Sequence, residues 1–231
     1  NGANIEANPD RVYVAAAAGK VNYRFRDFIV KGSDGGNTQS LGLVRLGYGR
    51  KGSNNLIFTY YAGKKGLLSQ TGNADSMRTQ KISGFSIESR MVLNKNNYLI
   101  AEYARSSYAG SKGKIMDFSS RLNEAWTIKA FSEYPSTHTS VSAYYRKMGE
   151  GFQSFTLYST NSNQEAWSLK VKQGLIKQRL LLEASIRKND FNSPLAAPDF
   201  SSSTVFKSVQ ATLRIRKYPV VTIGFYPSSQ L

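Results

Sequence analysis

The chain has 231 residues, no cysteine, and 31 Lys and Arg against 15 Asp and Glu, a formal charge of +16. The missing thiols exclude a disulfide framework and any thiolate metal site. A mean hydropathy of −0.40, without an apolar run near the ~18 residues of a membrane helix, excludes helical spanning. The basic excess points toward anionic partners: nucleic acid, anionic lipid or anionic solutes.

In chain order, the candidate elements are strands. Tyr13–Ile29 alternates, with Tyr13, Ala15, Ala17, Val21, Tyr23 and Phe25 on one face and Lys20, Asn22, Arg24 and Arg26 on the other. Period two marks a strand whose two faces meet different surroundings. A hairpin around Lys51–Asn55 sets Val44, Leu46 and Tyr48 beside Leu56, Phe58, Tyr60 and Ala62. Phe85, Ile87, Met91 and Leu93 turn at Asn94–Asn97 into Leu99, Ala101 and Tyr103. Trp126, Ile128 and Ala130 pass through Pro135 to Val141, Ala143 and Tyr145. Trp167, Leu169 and Val171 run into Leu180, Leu182, Ala184 and Ile186. Val205, Val209, Ala211, Leu213 and Ile215 precede Val221, Ile223 and Phe225. The pattern predicts about eleven strands, each near or above the roughly 9–11 residues that a tilted strand needs to cross a bilayer.

The connections alternate in length. Lys51–Asn55, Asn94–Asn97, Tyr134–Thr137, Gly174–Lys177 and Arg216–Tyr218 are tight, whereas Lys31–Thr38, Lys64–Gln80, Ala109–Ser120, Gly149–Gln164 and Asn189–Ser201 are long and polar. Short turns on one side and long loops on the other are the asymmetry of outer-membrane barrels. A soluble sandwich would also alternate, but with strands nearer 5–6 residues. Asp27, Arg105, Glu124 and Lys207 break the apolar face, all toward the long-loop ends of their strands, where a lipid-facing charge costs least. Tyr48, Tyr98, Tyr134 and Tyr218 lie beside short connections, as an interfacial girdle would. The fold expected is an all-β, antiparallel up-and-down transmembrane β-barrel, with residues 1–231 forming one barrel domain or a barrel segment. Single-chain bacterial barrels have even strand numbers, and this chain tails off as Tyr226-Pro227-Ser228-Ser229-Gln230-Leu231; a part of a larger barrel is therefore expected.

With the apolar face toward lipid, the polar face lines a lumen. It would carry Lys20, Arg24, Arg26, Arg45, Arg90, Arg121, Lys129, Arg146, Lys170, Lys172, Arg187, Arg214 and Arg216 against Glu88, Glu102, Glu133 and Glu183. A confined positive field concentrates anions. The lumen is then an anion-favouring path or a receptor for an acidic ligand; otherwise it is a wet interior without selectivity, or it holds an acidic plug.

No residue set carries catalytic chemistry. The single His138 follows a tight turn with no nucleophile elbow nearby, so a triad has no preorganised base. Gly149-Glu150-Gly151-Phe152 lacks the Gly-Lys-Ser/Thr ending of a phosphate loop. The carboxylates are scattered, so neither a calcium loop nor a carboxylate pair is formed. No enzymatic activity, cofactor or metal is expected.

Tyr144-Tyr145-Arg146-Lys147-Met148-Gly149-Glu150-Gly151-Phe152, and Lys217-Tyr218-Pro219 through Tyr226-Pro227, are similar to stretches of large barrels of the Bacteroidetes type. With these, the strand–turn pattern as a whole resembles Gram-negative outer-membrane β-barrel proteins. The resemblance implies a location in the cell outer membrane and insertion by barrel-assembly machinery, and it names no substrate. The expected partners are membrane lipid and lipopolysaccharide, with other outer-membrane subunits or a lumen plug. Porin-like transport or docking of anionic solutes or secreted partners leads the expectations. A structural scaffold in a surface or secretion complex comes second. A soluble basic domain that binds nucleic acid comes last.

Overall fold

The computed structural model describes residues 1–26, 34–50, 52–67, 78–108, 115, 118, 121–153, 163–193 and 200–230, with the backbone alone at 21–26, 34–38, 65–67, 78–79, 108, 193, 200 and 230. Among the described residues every regular element is a strand: β1 (Gly2–Ala7), β2 (Val12–Arg26), β3 (Asp34–Gly49), β4 (Asn55–Leu67), β5 (Arg78–Asn94), β6 (Asn97–Tyr108), β7 (Glu124–Tyr134), β8 (Thr139–Met148), β9 (Asn163–Leu175), β10 (Leu180–Ser193), β11 (Phe200–Leu213), β12 (Val221–Phe225) and β13 (Ser228–Gln230). They follow one another across a single sheet in chain order from β1 to β12, with β13 beside β11. This is the all-β, antiparallel up-and-down architecture that the alternation predicts. β5 reaches 17 residues and β3 reaches 16, well beyond the usual sandwich strand.

Two elements escape the sequence pattern. β1 is polar and alanine-rich, yet it pairs from Gly2↔Gly19 to Ala7↔Val14. β13 continues β12 in one register, since Val209↔Phe225 and Phe206↔Ser228 are successive steps along the same ladder. The interruption falls at Tyr226 and Pro227, where proline has no N–H to give a ladder. Its carbonyl still accepts the Lys207 N–H at 3.0 Å.

The chain forms two compact units. One comprises Asn1–Ile87, Ala104–Glu124 and Gly151–Thr160; the other comprises Glu88–Tyr103, Ala125–Glu150 and Asn161–Leu231. In the first, cross-strand rungs stack apolar residues on one face: Val12, Tyr48 and Leu56; then Val14, Leu46 and Phe58; then Ala16, Val44 and Tyr60. Phe85 stacks on Phe58 at 6.1 Å between ring centroids. The opposite face holds Tyr13, Ala15, Arg45 and Thr59. This reverses the expected faces of β2, where Tyr13, Ala15 and Ala17 were assigned to the apolar side. Val12-Tyr13-Val14-Ala15-Ala16-Ala17-Ala18 is apolar at both parities, so alternation within the strand cannot choose; Ala15 opposite Arg45 and Val14 opposite Leu46 do.

In the second unit, Ile128↔Tyr145, Ala143↔Leu169, Ile186↔Leu169 and Ala211↔Ile223 build the apolar face. These rows are not sealed in a protein interior. Leu46 is 50% exposed, Leu182 37% and Ile223 73%. The buried apolar side chains among the described residues are few: Ile82, Phe85, Ala104, Met148 and Phe152. A sheet with its greasy face bare requires an apolar environment or a partner on that face.

Candidate functional site

The second unit carries a basic, hydroxyl-rich face. Antiparallel pairing sets Thr127 opposite Arg146 and Lys129 opposite Tyr144. The same face continues through Ser142↔Lys170 and Ser140↔Lys172, then Lys172↔Glu183, Lys170↔Ser185 and Ser168↔Arg187, and Glu183↔Gln210, Ser185↔Ser208 and Arg187↔Phe206. The period of two alone puts these groups together, because every rung adds one residue of like parity.

Side-chain contacts hold several cations in place. The Arg90 guanidinium lies 4.4 Å from the Tyr98 ring centroid, and Tyr98 stacks on Phe131 at 5.3 Å. Arg187 sits over Phe206 at 4.7 Å. Such cation–π contacts contribute roughly 0.5–2 kcal/mol, least where water reaches them. Ser185 and Ser208 share a hydrogen bond of 2.7 Å. Glu183 is paired with Lys170 and, at 3.4 Å, with Lys172. One carboxylate thus answers two lysines; Glu133, opposite Ser140, adds a second carboxylate to the face, and Lys129, Arg146 and Arg187 still leave it with a positive excess. Its groups are half-buried or exposed, so they remain available to solutes.

The first unit contributes Arg45, whose Nε donates to Thr59 Oγ1 at 3.2 Å. Its guanidinium lies 5.9 Å from the Tyr13 ring centroid. Together with Glu6, Asn8, Asn55 and Ile57 it lines a cavity of about 290 Å³.

A second constellation in the first unit is buried rather than open. Arg105 and Ser106 are fully buried, and Asn123 and Gln153 are 1% exposed. Arg105 Nη2 donates to Asn123 Oδ1 at 2.8 Å, and Asn123 Nδ2 donates to the Ser106 carbonyl at 2.9 Å. The Ser106 hydroxyl accepts the Gln153 N–H at 2.7 Å. Tyr61 donates its phenol proton to the Gln153 carbonyl at 3.0 Å, while the Gly151 N–H reaches the Leu122 carbonyl at 2.7 Å. The start of the β8–β9 connection is thereby tied to β4, β6 and the approach to β7. Gly84 makes room for this lock: a Cβ there would lie 2.3 Å from the Tyr61 ring and 2.7 Å from the Arg105 carbonyl. The guanidinium also faces the Phe118 ring at 4.8 Å.

Among the predicted lumen cations, Arg90, Lys129, Arg146, Lys170, Lys172 and Arg187 fall within the second unit, and the pairings unite Lys129, Arg146, Lys170, Lys172 and Arg187 on one face. Arg45 stands on the polar face of the first unit. Arg24 and Arg26 belong to β2 by backbone, and their side chains lie outside the described residues, as does Asp27. The remaining predicted cations stand apart from these. Arg214 follows the last residue of β11 and is exposed, its N–H bonding the Arg179 carbonyl as the next step of the β10–β11 ladder, and Arg216 is exposed in the turn beyond. Arg121 is exposed ahead of β7. Lys20 shares the apolar side of β2 with Val12 and Val14. His138 is a turn residue with φ of 51°, its Nδ1 3.2 Å from Gln178 Nε2. Asn123, Gln153, Ser106 and Tyr61 were not foreseen; they are far apart in sequence, and no local period links them.

No family model matches the chain, and no curated protein matches it.

Proposed function

We propose that this chain is wall material of a Gram-negative outer-membrane β-barrel, with its apolar rows against lipid and its basic face along an aqueous interior. One observation carries the reading: within each unit long alternating strands leave apolar residues bare on one face, Leu46 and Phe58 in the first and Leu182, Val209 and Ile223 in the second, and in the second unit they collect Lys, Arg, Ser and Thr on the other face. In water the bare rows would be a large aggregation-prone surface. In a bilayer they are the required lipid contact. The basic face would favour anionic solutes or an acidic partner. Nothing in this role calls for catalysis.

The lock around Gln153 favours a second reading, in which the barrel is a scaffold. A segment of the β8–β9 connection is bonded to the polar side chains Tyr61 and Ser106, so part of that face serves the chain's own structure. Reconstitution separates the two roles. An anion-preferring ion current that depends on Lys170 and Lys172 supports passage, whereas a silent, heat-modifiable, detergent-requiring protein supports the scaffold. A chain that stays monomeric in water without detergent and binds single-stranded nucleic acid overturns both.

A further inference from the structure

We infer that the long-loop end of the first unit's apolar face is a binding site for the phosphate-bearing headgroup of an anionic membrane lipid. The inference deepens the membrane reading and rests on it. Its basis is the order of rungs along β2, β3 and β4. Above Ala16, Val44 and Tyr60 comes a rung of Ala18, Gly42 and Ala62, and above that a rung of Lys20, Ser40 and Lys64. The composition changes from bulky apolar, to small, to cationic within two steps of the ladder.

Both halves of a lipid find a matching surface. Ser40, Ala62, Lys64, Lys81, Ser83 and Ser107 are among the residues that line a cleft of about 640 Å³. Lys64 and Lys81 are exposed, and among the described residues no carboxylate lines the cleft and no ion pair to either lysine occurs. Ammonium groups with nearby hydroxyls suit a phosphate oxygen cluster, with lysine acting as a point charge. Ala62 is shared with a neighbouring groove of about 520 Å³, whose lining includes Ile5, Ala16, Ala18, Gly42, Val44 and Tyr60. That groove is almost wholly apolar and shallow at its small residues, which fits an acyl chain running down the sheet.

The height is also right. Eight residues separate Tyr48 from Ser40 along β3, roughly 26 Å of strand at about 3.3 Å per residue. Strand tilt shortens this to about 20 Å, comparable with the ~25 Å apolar band of outer-membrane barrels. The lysines therefore stand at a headgroup level with their stems over the apolar rows, as snorkelling side chains do. A free phosphate would use the cleft alone, whereas a lipid uses the cleft and the groove together.

The test uses the full chain refolded into phosphatidylcholine bilayers doped with phosphatidic acid, then extracted into mild detergent, with retained lipid counted by native mass spectrometry. Wild type should retain phosphatidic acid over phosphatidylcholine by on the order of tenfold. The pair Lys64→Gln and Lys81→Gln should bring the two lipids near parity, while Lys95→Gln, in the β5–β6 turn, should change nothing. Ala62→Phe, which fills the groove and keeps both lysines, should also lower phosphatidic acid retention. Equal retention of the two lipids by a properly inserted wild type would overturn the headgroup site and leave the membrane reading intact. Displacement by inorganic phosphate, with Ala62→Phe without effect, would reduce the site to a free-phosphate cleft and overturn the lipid assignment. Failure to insert at all would overturn the membrane reading together with the site.

Discussion

The same alternation produces opposite outcomes in two regions. In the second unit the polar face is open: Lys129, Arg146, Lys170, Lys172 and Arg187 stand among serines with water at hand. In the first, Arg105, Ser106, Asn123 and Gln153 are dry and bonded to one another. The difference lies in what covers them. Where the chain returns through Leu122–Asn123 and Gly151–Gln153, its own backbone groups take the hydrogen bonds that water takes elsewhere. A buried polar group without such partners, as the Gln153 side-chain amide is among the described residues, costs far more than an exposed one, so the bonded groups of the lock should be sensitive to substitution, while the open face tolerates change.

The two regions should therefore respond differently to substitution. The largest effect is expected at Asn123. Asn123→Ala removes a bond from a buried guanidinium and another to the Ser106 carbonyl, and should cost roughly 2–4 kcal/mol, read as unfolding free energy in urea from lipid vesicles. Gly84→Ala comes next: the added methyl meets the Tyr61 ring and the Arg105 carbonyl, for an expected loss of about 1–3 kcal/mol. Loss of stability at these positions with unchanged ion selectivity would sharpen the contrast; a Gly84→Ala protein as stable as wild type would break it.

On the open face the effects should be electrostatic. Glu183→Gln frees Lys170 and Lys172 and should raise anion over cation permeability roughly two- to threefold, with the double change Lys170→Gln and Lys172→Gln moving it the other way. Reversal potentials in a salt gradient give both numbers, and high salt should shrink them. The smallest effect is expected from Ser185→Ala, which removes one cross-strand hydroxyl bond to Ser208 and should cost about 0.2–1 kcal/mol.

Much of the fold was legible because period two needs no long-range knowledge. Trp167, Leu169, Leu182 and Val209 against Lys170, Lys172, Glu183 and Gln210 is readable from spacing alone. The tight turns at Asn94–Asn97 and Gly174–Lys177 fell near the junctions they mark, helped by asparagine and glycine, although Ile176, Lys177 and Gln178 take a left-handed conformation that their side chains disfavour. β2 misled because alanine fits either face, so only the partner strand sets its sense. Arg216 misled because the alternation runs on into the turn, two residues past the last ladder bond at Arg214. β1 was missed for want of apolar residues, and Pro227 hid the continuity of β12 with β13. The buried lock was illegible for a different reason: Tyr61, Gly84, Arg105, Asn123 and Gln153 acquire their meaning only when distant connections meet.

The side on which the apolar rows lie can be read directly. The chain has no cysteine, so single cysteines at Leu182, Val209 and Ile223, and at Lys170, Ser185 and Ser208, can each carry a nitroxide in reconstituted bilayers. Oxygen accessibility should exceed that of a water-soluble nickel complex at the first three positions, with the order inverted at the other three. Nickel-accessible labels at Leu182, Val209 and Ile223, or oxygen-rich labels at Lys170, Ser185 and Ser208, would contradict a lipid-facing apolar sheet with a watery basic interior.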